Sequence, residues 1–292
     1  MKPARFAYVA PATVEEAVAA LAAAGGQAKV LAGGQSLVPM LNFRLVQPSL
    51  VVDINRIAGL DRIEDNGPRL RIGALVRHHM IATSTLVATH VPILREAVHH
   101  VAHLTVRNRG TFCGSICHAD PAAEMPMIAL LLDADVEIAG PSRKRRLGVR
   151  GFLVSSLTTA LAPDEMVTAI EVDKLAAGTG WAFAEFARRH GDYALACLAA
   201  TVTRRDNVAG AVRIAAMGIG ETAIRLHSIE AMLEGTTFGA GDIDRAVAQL
   251  RAEIAPMSDL GASADYRRHL AGTLAAKVLR DAFDRARELA AA

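Results

Sequence analysis

Two glycine-bearing stretches, far apart in the chain, carry the donors that a phosphate-containing ligand requires. The first runs Leu31-Ala32-Gly33-Gly34-Gln35-Ser36-Leu37, directly after an apolar run that reads as a strand. Consecutive backbone N–H groups in such a turn converge as an anion nest, and glycine reaches the needed dihedrals without a Cβ penalty. A lone Gly-Gly pair is usually just a turn, so this loop decides nothing by itself. The second stretch changes that. Arg107-Asn108-Arg109-Gly110-Thr111-Phe112-Cys113-Gly114-Ser115 repeats the offer of glycine and hydroxyl donors, and the carboxylates of Asp120 and Glu124 follow soon after. N–H and O–H donors suit a diphosphate, whereas carboxylates accept from ribityl and ribose hydroxyls. One dinucleotide would satisfy both loops.

Other chemistry is weaker. Met217-Gly218-Ile219-Gly220-Glu221-Thr222-Ala223 matches the pattern G-x-G-x-x-A behind a strand, as in a Rossmann site. That fingerprint should open a long helix, yet Ile224 to Leu226 reads as extended and the helix from Ile229 is short, so a tight turn is the better account. His99 and His103 stand at i, i+4 spacing, and His78-His79 form another pair. No zinc-hydrolase carboxylate accompanies them, and no metal is assigned. Cys113-x-x-x-Cys117-His118 is too long for haem attachment. A nucleophile elbow is also lacking, so no catalytic side chain is assigned.

The elements that must position these loops follow from periodicity and punctuation. Thr13 and Glu16 form a capping-box pattern for a helix that ends at Gly25-Gly26. Strands at Lys29 to Ala32 and Leu50 to Asp53 complete a first β-α-β unit ending near Ile57. A second unit opens with the strand Leu70 to Ile72, continues through helices at His79 to Ser84 and Pro92 to His103, and reaches a loop over Arg107 to Asp120. Pro121 then starts a helix to Leu132. Strands at Asp135 to Ile138 and Met166 to Glu171 belong with it, and Leu175 to Gly180 reads as a linker. Beyond it lie strands at Ala182 to Ala187, Tyr193 to Thr203 and Val212 to Met217, then helices at Ile229 to Leu233, Asp242 to Glu253 and Asp265 to Leu289.

Composition narrows the class. With 292 residues, 52% of them hydrophobic, the chain can bury cores for two or three domains. A net charge of +2 provides no field for nucleic acid or a membrane surface. The cluster Arg143-Lys144-Arg145-Arg146, flanked by Gly140 and Gly148, reads as a solvated hairpin turn. No apolar run is long enough to span a membrane and no signal peptide is evident, so a cytoplasmic location is expected. Three cysteines are too few for a [2Fe-2S] cluster, and any such cluster must sit on another chain.

Taken together, Ala-Gly-Gly-Gln-Ser at 32–36 and Gly-Thr-Phe-Cys-Gly-Ser at 110–115 with His-Ala-Asp-Pro-Ala-Ala-Glu at 118–124 resemble the medium flavoprotein subunit of the carbon monoxide dehydrogenase and xanthine dehydrogenase family of molybdenum hydroxylases. Arg188-Arg189-His190-Gly191-Asp192-Tyr193-Ala194 and Asp265-Tyr266-Arg267-Arg268-His269-Leu270 look like that family too, so the likeness spans nearly the whole chain. It implies an α+β fold. A vanillyl-alcohol-oxidase (PCMH)-type FAD-binding domain would cover 1–176, in subdomains 1–57 and 58–176, and a C-terminal domain of a three-stranded antiparallel sheet and helices would cover 177–292.

The resemblance also implies FAD and its contacts. Ala32, Gly33, Gly34, Gln35, Ser36 and Leu37 would form one wall of the pyrophosphate site, and Thr111, Cys113, Gly114 and Ser115 the other. Glu124 would meet the flavin end with support from Asp120, Leu161 would supply an apolar contact, and Tyr193 would lie near the isoalloxazine. The family usually has glycine where Cys113 stands, so the backbone there must avoid positive φ or bear strain. The implied role is electron transfer beside a small [2Fe-2S] subunit and a large molybdopterin subunit, in a heterotrimer or its dimer, with NAD or another acceptor taking the electrons. Alternatives are a stand-alone FAD-dependent oxidase or reductase of the same fold, and a non-catalytic nucleotide-binding scaffold.

Overall fold

The computed structural model describes residues 2–189 and 191–291, so His190 of the Arg188–Ala194 motif lies outside the described residues. The chain opens with β1 (Ala7–Val9), α1 (Val14–Ala23), β2 (Ala28–Leu31), α2 (Leu37–Asn42) and β3 (Leu50–Asp53). Helix α1 starts where the capping pattern puts it. The Glu16 N–H donates to Thr13 Oγ1 at 3.1 Å, and Glu16 accepts from the Ala12 N–H at 2.8 Å; losing such a cap costs about 1 kcal/mol. Ala17, Val18 and Leu21 are buried, and Gly25 and Gly26 stop the helix at φ +54° and +86°. The three strands are parallel, in the order β1-β3-β2.

The second unit holds β4 (Ile63–Asn66), β5 (Arg69–Gly73), α3 (His78–Thr83), α4 (Thr85–His90), α5 (Pro92–His100), α6 (Leu104–Arg107), α7 (Phe112–His118), α8 (Glu124–Leu131), β6 (Asp135–Ala139), β7 (Lys144–Gly148), α9 (Val149–Phe152), β8 (Leu153–Ser155), β9 (Thr158–Thr159) and β10 (Met166–Asp173). Its main sheet is antiparallel, in the order β4-β5-β10-β6-β7.

Three expectations need correction here. The loop expected over Arg107 to Asp120 contains the end of α6 and all of α7. Burial of Phe112, Cys113 and Ile116 forms α7 against the poor helix propensity of its glycine and cysteines. The following helix begins at Glu124, not Pro121, because Asp120 Oδ1 accepts from the Ala122 N–H at 2.8 Å and holds a turn around the proline. Finally, the basic cluster is largely strand. Gly140 N–H bonds the Arg143 carbonyl to close the turn, and β7 carries Arg145 onto Glu165 at 2.6 Å and Arg146 onto Asp135 at 3.1 Å.

The last unit comprises β11 (Gly180–Phe186), β12 (Ala196–Arg205), β13 (Val208–Met217), β14 (Ile224–Arg225), α10 (His227–Leu233), α11 (Ala240–Glu253) and α12 (Ala264–Ala291). Three long antiparallel strands, β11-β12-β13, carry the two-residue β14 at one edge. Both faces of β12 are covered, which is why it reads as a continuous apolar run. Cys197 and Ala199 join the core of the first two units, whereas Ala196, Leu198, Ala200 and Val202 pack with Leu250, Val278 and Leu279 of the C-terminal helices. Polar ties also cross the junction. Arg225 reaches the Leu130 carbonyl at 3.1 Å and Asp133 at 2.9 Å, and the Gly218 N–H donates to the Pro121 carbonyl at 3.1 Å. The stretch read as a linker is fastened, with the Leu175 N–H on the His90 carbonyl at 2.9 Å.

Candidate functional site

The two glycine loops, more than seventy residues apart in sequence, meet backbone to backbone. A Cβ placed on Gly33 would lie 2.4 Å from the Arg109 carbonyl oxygen and 2.8 Å from Gly110 Cα. Only a glycine permits this approach. Parallel pairing of β2 with β3 fixes the first loop, and an antiparallel bridge between Arg77 and Thr111 fixes the second. The bridge is flanked by His78 N–H on the Gly110 carbonyl at 3.0 Å and Phe112 N–H on the Val76 carbonyl at 3.1 Å.

Within the first loop, Gly34 takes φ +73°, the Gln35 side-chain amide donates to the Gly33 carbonyl at 3.2 Å, and Ser36 and Leu37 lead into α2. Among the described residues, the backbone N–H groups of Gly33, Gly34, Gln35 and Ser36 have no intramolecular acceptor. Four consecutive free donors beside a second loop fit an anion such as a diphosphate. The second loop offers fewer. Thr111 Oγ1 takes the Gly114 N–H at 3.1 Å and the Thr111 carbonyl takes that of Ser115 at 3.0 Å, leaving the Thr111 and Cys113 N–H groups and the Ser115 hydroxyl. Gly114 is required for that cap, since a Cβ there would sit 2.5 Å from Thr111 Oγ1.

Cys113 occupies ordinary helical backbone, so the strain that a non-glycine residue threatened does not arise. Its Sγ lies 3.5 Å from the Ile72 carbonyl, inside the core, and burial pushes the thiol far above its usual range. The side chain turns away from the loops, and only its backbone can face a ligand.

A second set gathers around the start of α8. Glu124 is buried, and its carboxyl is raised to about 7 by burial, with Glu185 and Asp120 adding repulsion and His100 opposing it. His100 Nδ1 stands 3.2 Å from Glu185 Oε1, which raises the imidazole, while Glu185 Oε2 is buried without a partner among the described residues. Tyr193 has an exposed ring, and its phenol is raised to about 12 by desolvation and by Asp120. Asp120 thus serves both the Ala122 turn and Tyr193. Leu161 packs on the main core, its N–H 3.4 Å from Thr159 Oγ1, and no hydrogen bond joins it to either glycine loop among the described residues. His99 and His103 do not share a helix face, because α5 ends at His100 and His103 caps α6.

Glu124 sets a pH dependence whose sign is fixed. Its folded value of about 7 lies above the ordinary 4.5, so the folded state binds the proton more tightly. That stabilisation is complete below pH 4.5, declines as pH rises and is gone above about 7, with a span on the order of 3 kcal/mol. Denaturant midpoints of the flavin-free chain should therefore fall from pH 5 to pH 7.5 more steeply than those of Glu124→Gln. Parallel pH curves would show that the carboxyl ionises normally.

Sequence reasoning missed Asn55 and Arg77. Asn55 Nδ2 donates to the Ala32 carbonyl at 2.9 Å, and Arg77 donates to Asn55 Oδ1 at 2.5 Å and to the Arg109 carbonyl at 2.6 Å. Their partners lie 22 and 32 residues from Arg77. No local pattern marks either residue.

Comparison with known proteins agrees along the whole length. The family described as "FAD binding domain in molybdopterin dehydrogenase" matches residues 4–174, and "CO dehydrogenase flavoprotein C-terminal domain" matches residues 181–282. The chain is 42% identical to the 6-hydroxypseudooxynicotine dehydrogenase complex subunit alpha of Paenarthrobacter nicotinovorans, over 98% of this chain and 97% of that one. It is 36% identical to the carbon monoxide dehydrogenase medium chain of Hydrogenophaga pseudoflava, over 98% and 99%. A solved structure of the carbon monoxide dehydrogenase from that organism superposes with a TM-score of 0.95 at 37% identity, covering 98% of this chain and 99% of the other.

Proposed function

The chain belongs to the FAD-binding medium subunits of the molybdenum hydroxylases, the family of carbon monoxide dehydrogenase and xanthine dehydrogenase, and from that premise we propose that it carries electrons between partner [2Fe-2S] clusters and an external acceptor. It is an oxidoreductase subunit that binds FAD. When bound, FAD would supply the capacity to take electrons singly from such clusters and to give them up singly or as a pair.

The protein's share is to hold and orient. In this reading the free N–H groups of Gly33 through Ser36, joined by the Thr111 N–H and the Ser115 hydroxyl, receive the diphosphate, while Ala32, Leu37, Cys113 and Gly114 complete the walls. Glu124, whose carboxyl burial raises to about 7 so that it holds its proton in part of the molecules near neutral pH, meets the flavin end with Asp120 beside it. Tyr193 provides an exposed ring to lie near the isoalloxazine, and Leu161 an apolar contact. The observation that carries the reading is the backbone contact between Gly33 and Arg109–Gly110, which unites two donor loops into one cradle.

Partners follow from the same premise. The chain has three cysteines, and no group of histidine, cysteine and acidic side chains among the described residues could hold a metal. Iron-sulfur clusters and molybdenum then belong to a small and a large partner subunit, with NAD or another acceptor receiving the electrons. No helix among the described residues is long and apolar enough to cross a membrane.

Affinity purification of the chain from its native host tests this. The expected product is a yellow complex containing an iron-sulfur chain and a molybdopterin chain, whose flavin passes entirely into the filtrate after denaturation, since the Cys113 thiol beside the second loop faces the core and is not placed to bond the flavin covalently. A lone, colourless chain would refute the proposal. A lone flavoprotein oxidising an organic compound by itself would favour a self-sufficient oxidase.

A further inference from the structure

We propose that Arg77 is a positioning residue for the FAD diphosphate, locking the two glycine loops at the spacing the ligand needs. The inference rests on the cradle described above and extends it to a residue that forms no part of either loop.

The geometry is a continuous chain of hydrogen bonds on the carbonyl side of the cradle. Asp53 Oδ1 accepts from the backbone N–H and the side-chain amide of Asn55, at 2.9 and 2.6 Å, and fixes that amide. Asn55 in turn holds the Ala32 carbonyl at 2.9 Å and accepts from Arg77, whose other terminal nitrogen holds the Arg109 carbonyl at 2.6 Å. Because a trans peptide points its C=O and N–H in opposite directions, fixing the Ala32 carbonyl turns the Gly33 N–H toward the ligand side. On the second loop the task differs: the Gly110 N–H of the Arg109 peptide is spent on the Val106 carbonyl at 2.7 Å, so holding the Arg109 carbonyl fixes where that loop stands, at the atom that Gly33 touches.

Charge supports the same assignment. The guanidinium is half-buried, its hydrogen-bond partners are a carbonyl and an amide rather than a carboxylate, and Arg109 repels it. Asp53 and Asp61 attract it only at longer range. A cation with neutral partners keeps a net field that an arriving diphosphate relieves.

The test uses the flavin-depleted full-length chain with FAD, ADP and riboflavin as probes, since ADP has the diphosphate without the flavin and riboflavin the reverse. Arg77→Met should weaken FAD and ADP about 10- to 100-fold, as expected for loss of hydrogen bonds from a charged donor, and leave riboflavin unchanged. Arg77→Lys, which keeps charge but cannot span both partners, should recover only part of the loss. Asn55→Ala should weaken the same two probes, and the double variant should lose less than the two single losses combined, because both residues act on the same pair of loops. Asn55→Ala serves alone if Arg77→Met does not fold. Equal losses for all three probes, or FAD binding as tight as the parent's, would overturn the assignment of Arg77. Failure of the parent chain itself to bind FAD and ADP would instead overturn the cradle.

Discussion

Gly33→Ala should leave a folded chain that binds FAD about 10- to 100-fold more weakly than the parent. The added methyl would stand 2.4 Å from the Arg109 carbonyl oxygen and 2.8 Å from Gly110 Cα. Both are backbone atoms and cannot rotate aside, so the loops must part. Overpacking of this kind costs about 1–3 kcal/mol, or roughly ten- to a hundredfold in affinity if ligand binding must draw the loops together again. Gly34→Ala makes a useful contrast. Its Cβ would meet only the side-chain ends of Leu31 and Val38, at 3.1 and 3.2 Å, and its main penalty is φ +73°. That strain exists with or without ligand, so it should lower stability more than affinity. Flavin fluorescence titrations and thermal melts of the flavin-free chains measure the two effects separately. Should Gly33→Ala bind FAD like the parent, the loops do not close on a common ligand.

Signals in the sequence were clear where they were local. Thr13 with Glu16 marked the start of α1, and glycine pairs after apolar strands marked loops, because caps and positive φ depend on residues a few positions apart. Arg77 and Asn55 gave no such signal, since an arginine that braces two carbonyls looks in sequence like any surface arginine. Helix α7 was hidden for another reason. Its seven residues include Gly114 and two cysteines, and only tertiary burial of Phe112 and Ile116 makes them helical. The reach of Arg145 and Arg146 into ion pairs on neighbouring strands was equally beyond a linear reading, which sees four adjacent charges and infers a solvated turn. Cys113 shows the converse. Sequence pattern flagged it as a misfit, and the structure explains why it is tolerated, through a helical φ and a thiol directed at the Ile72 and Gly73 carbonyls.

The last unit depends on a glycine of a different kind. At Gly180 the first strand of the C-terminal sheet runs directly under α12, where a Cβ would lie 2.0 Å from the Ala282 carbonyl oxygen and 2.3 Å from the Ala286 nitrogen. Gly180→Ala must lift the helix off the sheet or bend the strand. Because α12 covers β11 and β12 together, and the other face of β12 belongs to the core of the first two units, there is little free volume to absorb the shift. A destabilisation of about 3 kcal/mol is expected, at the upper end for one added methyl in a packed interior. The neighbouring Trp181 is the sole tryptophan, and Arg285 stacks on its ring at 3.7 Å while donating to its carbonyl at 2.8 Å. Its fluorescence therefore reports on this contact. Gly180→Ala should melt several degrees lower with a shifted tryptophan emission already visible in the native state. The diphosphate cradle lies in the other units and Tyr193 follows β11 at the end remote from Gly180, so FAD affinity below the transition should remain close to the parent's. Unchanged melting and emission would mean that α12 does not bear on Gly180 as closely as the backbone distances require.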